Sequence, residues 1–209
     1  MSEEARGMPR TARGQKTRDR LIAAGRDIFE RDGFLDTHIV DITGAAGVAN
    51  GTFYTYFDSK EEIFKAVIAE VTDTLYAAAT VPDDVDPSPQ ARIEYSTRAY
   101  VKAYQKYSKL IAILEQTATF NAEFREMRLR IRRNSQQRME SGIRRLQEQG
   151  LAEPDLSARC AAEALTSMVS NFCYAWLVLG EDFDEDEAVD TLVAIWMRGI
   201  GLKYEQPLG

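Results

Sequence analysis

The stretch Thr37–Lys60, THIVDITGAAGVANGTFYTYFDSK, decides how this chain is read. Ile39, Ile42, Ala45 and Ala46 recur at i, i+3, i+6 and i+7, the apolar stripe of one short helix, and Gly47 follows where the chain needs a left-handed exit. Val48 plugs the turn. A second short helix, about two turns from Asn50 to Tyr56, carries Phe53 and Phe57 inward at i and i+4. Asp58 and Ser59 end it, and Ser59 with Glu62 makes an S-x-x-E capping box that opens a further helix at Lys60. Two short helices across a glycine turn form either a helix-turn-helix or one corner of an α-helical core, and spacing alone admits both.

The outer face of the second helix shows Thr52, Tyr54, Thr55 and Tyr56. Such a face suits a helix laid in a DNA major groove, because hydroxyls reach phosphates while rings and methyls meet thymine methyl groups. Charge is distributed to match. The chain as a whole carries −7, yet between Ala5 and Arg26 seven basic residues face Asp19 alone, a local +6. One end can attract phosphate while the rest suppresses indiscriminate binding. Residues 1–13 lack periodicity and are expected to form an arm, either a solvated tail or a segment that tracks the DNA backbone or enters the adjacent minor groove.

Gly47-Val48, Gly51-Thr52-Phe53-Tyr54, Tyr56-Phe57 and Ser59-Lys60-Glu61, with Gly33-Phe34 and Thr37 upstream, resemble the DNA-binding signature of the TetR/AcrR family of bacterial transcriptional regulators. The resemblance covers roughly the first 65 residues. It implies an all-α chain of about nine helices, with an arm and three-helix DNA-binding domain over residues 1–59 and a larger effector-binding and dimerisation domain over 60–209. It further implies that Thr52, Tyr54, Tyr56 and Lys60 touch DNA, with Tyr54 and Lys60 on phosphates; His38, Val40, Asn50, Gly51 and Thr55 complete the expected DNA-binding set. Three positions depart from the pattern. Ala49 stands where a capping Ser is common, Val40 where a polar or basic base-reader is common, and His38 where Thr is common.

Composition is that of an ordinary globular chain, 44% hydrophobic and 28% charged, and its 209 residues suffice for one sizeable core or a small domain joined to a larger one. The longest uncharged run, Ala164–Gly180, contains Thr166, Ser167, Ser170 and Asn171 and is shorter than the ~20 residues a membrane span needs, so no membrane partner is expected. The opening MSEEARGMPR holds no apolar stretch, and Cys160 and Cys173 lie too far apart along one helix for a disulfide. A reducing cytoplasm is the expected compartment.

Periodicity predicts a first helix over Lys16–Arg31 ended by Gly33, then a fourth over Lys60–Ala79. The segment VPDDVDPSP, with three prolines and three aspartates in nine residues, is a loop, after which Ser88 and Pro89 restart a helix to Tyr107. Another is expected over Ser108–Thr119, and a long one from Asn121 to Gly150. That long helix carries eight arginines, including Arg128, Arg132 and Arg144; a second nucleic-acid surface and a solvated face with weak ion pairs are both readings of it. The last two helices, Leu156–Leu179 and Glu185–Lys203, have apolar faces wide enough to need partners on more than one side. The family resemblance implies a homodimer here, through Ala161, Leu165, Met168 and Val169 of one helix and Val189, Leu192, Val193, Trp196 and Ile200 of the other; a monomer core is the alternative.

The single histidine and two cysteines offer no metal-ligand spacing, no glycine-rich loop sits in a βαβ context, and the carboxylates are scattered. No catalytic residue, metal or cofactor is expected, and an enzyme is the remotest reading. A binding module remains. Val71, Leu75, Tyr100, Tyr104, Leu114, Phe124, Asn171, Phe172 and Trp176 have the composition of a small-molecule pocket, with Asn171 and Tyr104 as its polar contacts. Each is equally a core residue, and the pocket as a whole is what the resemblance implies: an unknown, mostly apolar or aromatic effector that releases a double-stranded DNA operator. The leading expectation is a dimeric, ligand-responsive repressor on a palindromic operator. Two others stay open, an architectural or partner-controlled DNA binder without effector, and a helical carrier or enzyme.

Overall fold

The computed structural model describes residues 11–202. Among them are eight helical elements and no strand: α1 (Ala12–Asp36), α2 (Ile39–Ala46), α3 (Asn50–Phe53), α4 (Lys60–Ala78), α5 (Pro89–Phe120), α6 (Ala122–Glu148), α7 (Ala158–Leu177) and α8 (Glu185–Gly199). The all-α expectation holds. Of the arm expected at residues 1–13, residues 1–10 lie outside the described part, and the last helix, expected to run to Lys203, ends at Gly199 with Ile200 as its C-cap. From Thr11 onward the chain is already organised, since Thr11 Oγ1 accepts from Gly14 N at 3.1 Å and caps α1.

Two of these elements contain a break. In α1 it is Gly33, at φ 76° and ψ 179°, a conformation closed to side chains with a Cβ, and Phe34 beyond it is swung into the core. In α5 it is Tyr107, at φ −112° and ψ 16°, the place where the sequence separates two helices; split there, the element count reaches the expected nine.

The other helix starts follow local chemistry. Ser59 Oγ accepts from Glu62 N at 3.3 Å while Glu62 Oε2 accepts from Asp58 N at 2.8 Å, a capping box reaching one residue further back than the motif requires. Asn121 Oδ1 takes Glu123 N and Phe124 N at 2.9 and 3.3 Å, and Asp184 Oδ1 takes Glu187 N at 3.0 Å. Gly150, at φ 69°, ends α6 as a left-handed C-cap.

The chain forms two compact units. The first comprises the residues up to Asp73 with Lys109–Met127, and the second comprises Thr74–Ser108 with the residues from Arg128 on. Leu21, Ile22, Phe29, Ile42, Phe53, Ile63, Phe64 and Phe124 are fully covered in the first. Its centre is aromatic: Phe64 meets Phe29, Phe34 and Phe124 at centroid distances of 4.9, 5.2 and 5.2 Å, largely edge to face. Gly25 lets α1 approach α4, for a Cβ there would stand 3.2 Å from Ile63 Cδ1. The second unit buries Ile143, Ala162, Cys173, Val189, Val193, Met197 and Ile200. Arg98 of α5 ties it to the start of α8 by ion pairs with Asp186 and Asp190, and Glu153 N donates to Ile200 O at 2.9 Å. No helix among the described residues is long and apolar enough to cross a membrane.

Candidate nucleic-acid interface

Helices α2 and α3 form the feature on which the sequence reading turns. Helix α2 buries Ile42, Thr43 and Ala46, and Gly47 leaves it at φ 62°, ψ 42°, the left-handed exit its position predicts. Gly47 N donates to Gly44 O at 3.1 Å and Val48 N to Thr43 O at 3.0 Å, so the last carbonyls of α2 are used in the turn. Helix α3 is shorter than expected. It ends at Phe53, and Tyr54–Tyr56 continue as a turn held by Tyr56 N and Phe57 N, which both donate to Phe53 O at 2.9 and 3.0 Å. Ala49 supplies no side-chain cap to α3, as its identity requires, and His38 supplies none to α2.

Burial separates an anchored side from an open one. Phe53 and Phe57 are buried, 5.6 Å apart between centroids, and Arg18 lies 5.3 Å over the Phe57 ring. Opposite them Asn50, Gly51, Tyr54 and Thr55 are exposed, Thr52 and Tyr56 half-covered. Tyr54 leaves 54% of its surface in solvent and Val40 leaves 63%, large values for residues of their size with no role in the core. His38 is exposed as well. All nine DNA-binding candidates therefore stand open or half-open.

Lys60 differs in that its ammonium is engaged within the protein. Its Nζ donates to Leu35 O at 3.1 Å and to Thr37 O at 3.0 Å, and lies 4.7 Å over the Phe34 ring. Other basic residues of this unit are likewise engaged. Arg20 Nη2 donates to Ala46 O and, at 3.4 Å, to Gly47 O, while Arg26 pairs with Glu70. Arg13 and Lys16, in the first turns of α1, stay exposed; Arg6 and Arg10 lie outside the described residues.

The residues expected to line a pocket do not gather on one unit. Val71, Leu114 and Phe124 belong to the first, Phe124 within its aromatic centre, whereas Leu75, Tyr100, Tyr104, Asn171, Phe172 and Trp176 belong to the second. Asn171 needs correction as an inward polar group. It is exposed, because it follows the fully buried Ala162 by nine positions, half a turn out of phase on an α-helix. Sequence reasoning named Tyr100 as a pocket residue but missed the half-buried hydroxyls of Tyr76, Ser135 and Ser170 as polar groups of the second unit. Tyr100 bonds to Ser170, and burial raises its hydroxyl well above the ordinary value. Tyr76 Oη donates to Ile131 O at 2.8 Å and lies 3.4 Å from Ser135 Oγ. Helical spacing alone would have flagged Ser170, one residue short of Asn171.

The residues expected to face a dimer partner need a correction of the same kind. Val189, Leu192, Val193, Trp196 and Ile200, with Ala161 and Leu165, are buried within the single chain, and Trp196 retains 6% of its surface. Met168 and Val169 are half-buried. The broad stripe of α8 is spent inside its own unit, and the opposite side, Thr191, Ile195, Arg198 and Gly199, is exposed.

The arginines of α6 form the weakly paired, solvated pattern. Arg132 bonds to Glu163, Arg144 to Glu140, and Arg138 covers the Tyr76 ring at 5.0 Å.

Residues 21–67 match the family model of bacterial regulatory proteins of the tetR family, and residues 93–201, more than half of the chain, match the C-terminal domain of the transcriptional regulator EthR. The chain is 26% identical over 183 residues to the HTH-type transcriptional repressor BepR of Brucella suis, covering 83% of this chain and 86% of that one. It is 27% identical over 183 residues to the HTH-type transcriptional regulator TtgR of Pseudomonas putida, covering 81% and 84%. In fold it is similar to a TetR-family regulator from Syntrophomonas wolfei, with TM-score 0.75 at 19% identity over 92% of this chain and 99% of that chain. An open, hydroxyl-rich face on a helix-turn-helix, carried by a chain whose N-terminal and C-terminal parts match these two family models, has one reading: the chain belongs to the TetR family and is a DNA-binding transcriptional regulator, not an enzyme.

Proposed function

We propose that this regulator is a ligand-responsive repressor that binds a palindromic operator as a homodimer and is released by a mostly apolar small molecule. Residues 1–59 serve DNA binding, and residues 60–209 serve effector binding and dimerisation. The observation that carries the DNA side is the open face of α2 and α3. Val40 and Tyr54 are large, exposed and unneeded by the core, and a groove is the surface that would use them. His38, Asn50, Gly51, Thr52, Thr55 and Tyr56 complete the contact set.

The assignment of a repressor draws on BepR, whose name states that role. A dimer is favoured because two half-sites about one helical turn apart need two heads at fixed separation. Its contact face is the open side of α7 and α8, with Ile195 at its centre, together with Met168 and Val169. The effector is proposed to be neutral or mostly so, because the half-buried Tyr76, Tyr100, Ser135 and Ser170 of the second unit present hydroxyls. Hydroxyls without charge orient an apolar ligand rather than neutralise an ion.

The test is selection of duplexes from a random-sequence library by the full chain, followed by a thermal-shift screen of apolar and aromatic compounds and operator titration of each hit. An inverted repeat among the selected duplexes, and a hit that stabilises the protein while weakening its hold on them, is the expected outcome. A hit that stabilises and leaves the affinity untouched would mean a pocket without a switch.

A further inference from the structure

The open side of α2 is apolar and nearly bare. Val40, Gly44 and Ala45 are exposed along it at i, i+4 and i+5, while Ile42, Thr43 and Ala46 face the core. None of the three exposed side chains carries a charge, a donor or an acceptor. Glycine weakens a helix relative to alanine, yet a Cβ at Gly44 would meet no atom within 4 Å, so crowding inside the chain does not call for it. Val40 is the one bulky group on this side, with 63% of its surface in solvent. It is also held in place. The hydroxyl of the buried Thr43 donates to Val40 O at 3.1 Å, and a valine on a helix keeps essentially one side-chain rotamer.

A rigidly held isopropyl group, with a bare glycine beside it to admit a close approach, discriminates by shape and by covering apolar surface. Phosphate is not its partner, since valine can neither donate to it nor neutralise it. In a major groove one base offers apolar surface at its edge: thymine, through the 5-methyl group that the other three lack. We propose that Val40 is a specificity-determining residue of this regulator, which selects thymine at one position of each operator half-site by packing against its 5-methyl group. The inference rests on the DNA-binding face described above and commits one residue of that face to one chemical group. It has a corollary. A 5-methylcytosine presents its methyl at the same place in the groove, so the contact responds to cytosine methylation at that position as it does to the exchange of thymine for uracil.

The experiment titrates the full chain, as wild type and Val40→Ser, against a duplex selected from a random-sequence library. Its thymines are replaced by deoxyuridine one position at a time, in both half-sites together, which removes the methyl and leaves the pairing and the O4 acceptor intact. At one thymine position the wild type is expected to lose about fourfold for each methyl left uncovered, the factor for one such group returned to water. There Val40→Ser should bind the thymine and uracil duplexes alike, with the wild-type response at every other thymine and an unchanged melting temperature. With cytosine at that position instead, the wild type should bind the 5-methylated duplex more tightly than the unmethylated one by the same factor. A selected half-site without thymine, or one in which uracil nowhere weakens the wild type, would overturn the inference. So would losses to uracil that persist undiminished in Val40→Ser at every sensitive position, because another residue then reads the methyl. A wild-type chain that selects no duplex at all defeats instead the DNA-binding face on which the inference rests. Should Val40→Ser bind too weakly to titrate, Val40→Ala shortens the side chain without adding a polar group, and its ratio of thymine to uracil affinity, expected near one, answers the same question.

Discussion

Tyr54 is an exposed ring, and its contribution is expected to be a hydrogen bond to a phosphate. Tyr54→Phe should therefore weaken binding by roughly ten- to a hundredfold, the range for a hydrogen bond to a charged group of about 1.5–3 kcal/mol. The loss should be the same on selected and scrambled duplexes, with thermal stability unchanged; undiminished affinity would remove Tyr54 from the contact set. Cys173 makes a residue-scale prediction of another kind. Burial pushes its thiol from the ordinary 9.0 up to about 12. Below pH 9 the thiol is neutral in folded and unfolded chains alike and pH has no leverage through it. Between 9 and 12 the folded state retains a proton that the unfolded state has lost, so stability falls as pH rises, by about 1.4 kcal/mol per pH unit. Cys173→Ala should flatten the alkaline limb of a stability profile by one proton, and an unchanged limb would place the thiol in contact with water.

Helix α3 is preceded by Ala49, whose extended backbone at φ −66°, ψ 146° is that of an N-cap without the side chain that makes one. Ala49→Ser should supply it, for a gain of about 1 kcal/mol and a melting temperature higher by roughly 2–4 °C. A scan of the two proteins side by side checks this, and no rise would mean that the following N–H groups already have partners. At this scale the sequence was most legible. Gly33, Gly47, Gly150 and the Ser59–Glu62 box act within a few residues of themselves, and the structure has each where spacing put it. What was not legible depended on distant chain. An apolar stripe on α8 says that Val189, Leu192 and Trp196 are covered but not by what, and the cover proves to be their own unit. A lysine after a capping serine says that a cation is present, but the carbonyls of Leu35 and Thr37 that take it are set by the reversal at Gly33. Asn171 was misplaced by one residue, and one residue on a helix is about 100°.

For the whole molecule the division of labour on α8 yields a pair of contrasting substitutions. Ile195 keeps 46% of its surface in solvent and sits on the open side, whereas its neighbour Trp196 is buried. Ile195→Glu is expected to leave the protomer folded and split the proposed dimer, seen as a halved mass in sedimentation, with operator affinity lost through the broken pairing of heads. Trp196→Glu should instead unfold the chain, because an unpaired buried charge costs several kcal/mol, comparable with the whole margin of a domain. A dimer that survives Ile195→Glu would move the contact face elsewhere on the second unit.

Both tryptophans, Trp176 and Trp196, belong to the second compact unit, and the first has none. Intrinsic tryptophan fluorescence therefore watches only that unit, while far-ultraviolet circular dichroism weighs every helix. In a denaturant titration coincident midpoints mean that the units melt together, and a dichroism change that precedes the fluorescence change means that the helix-turn-helix lets go first. An unlabelled sample can thus report, from the spacing of two curves, whether a compound that tightens the second unit also stiffens the first.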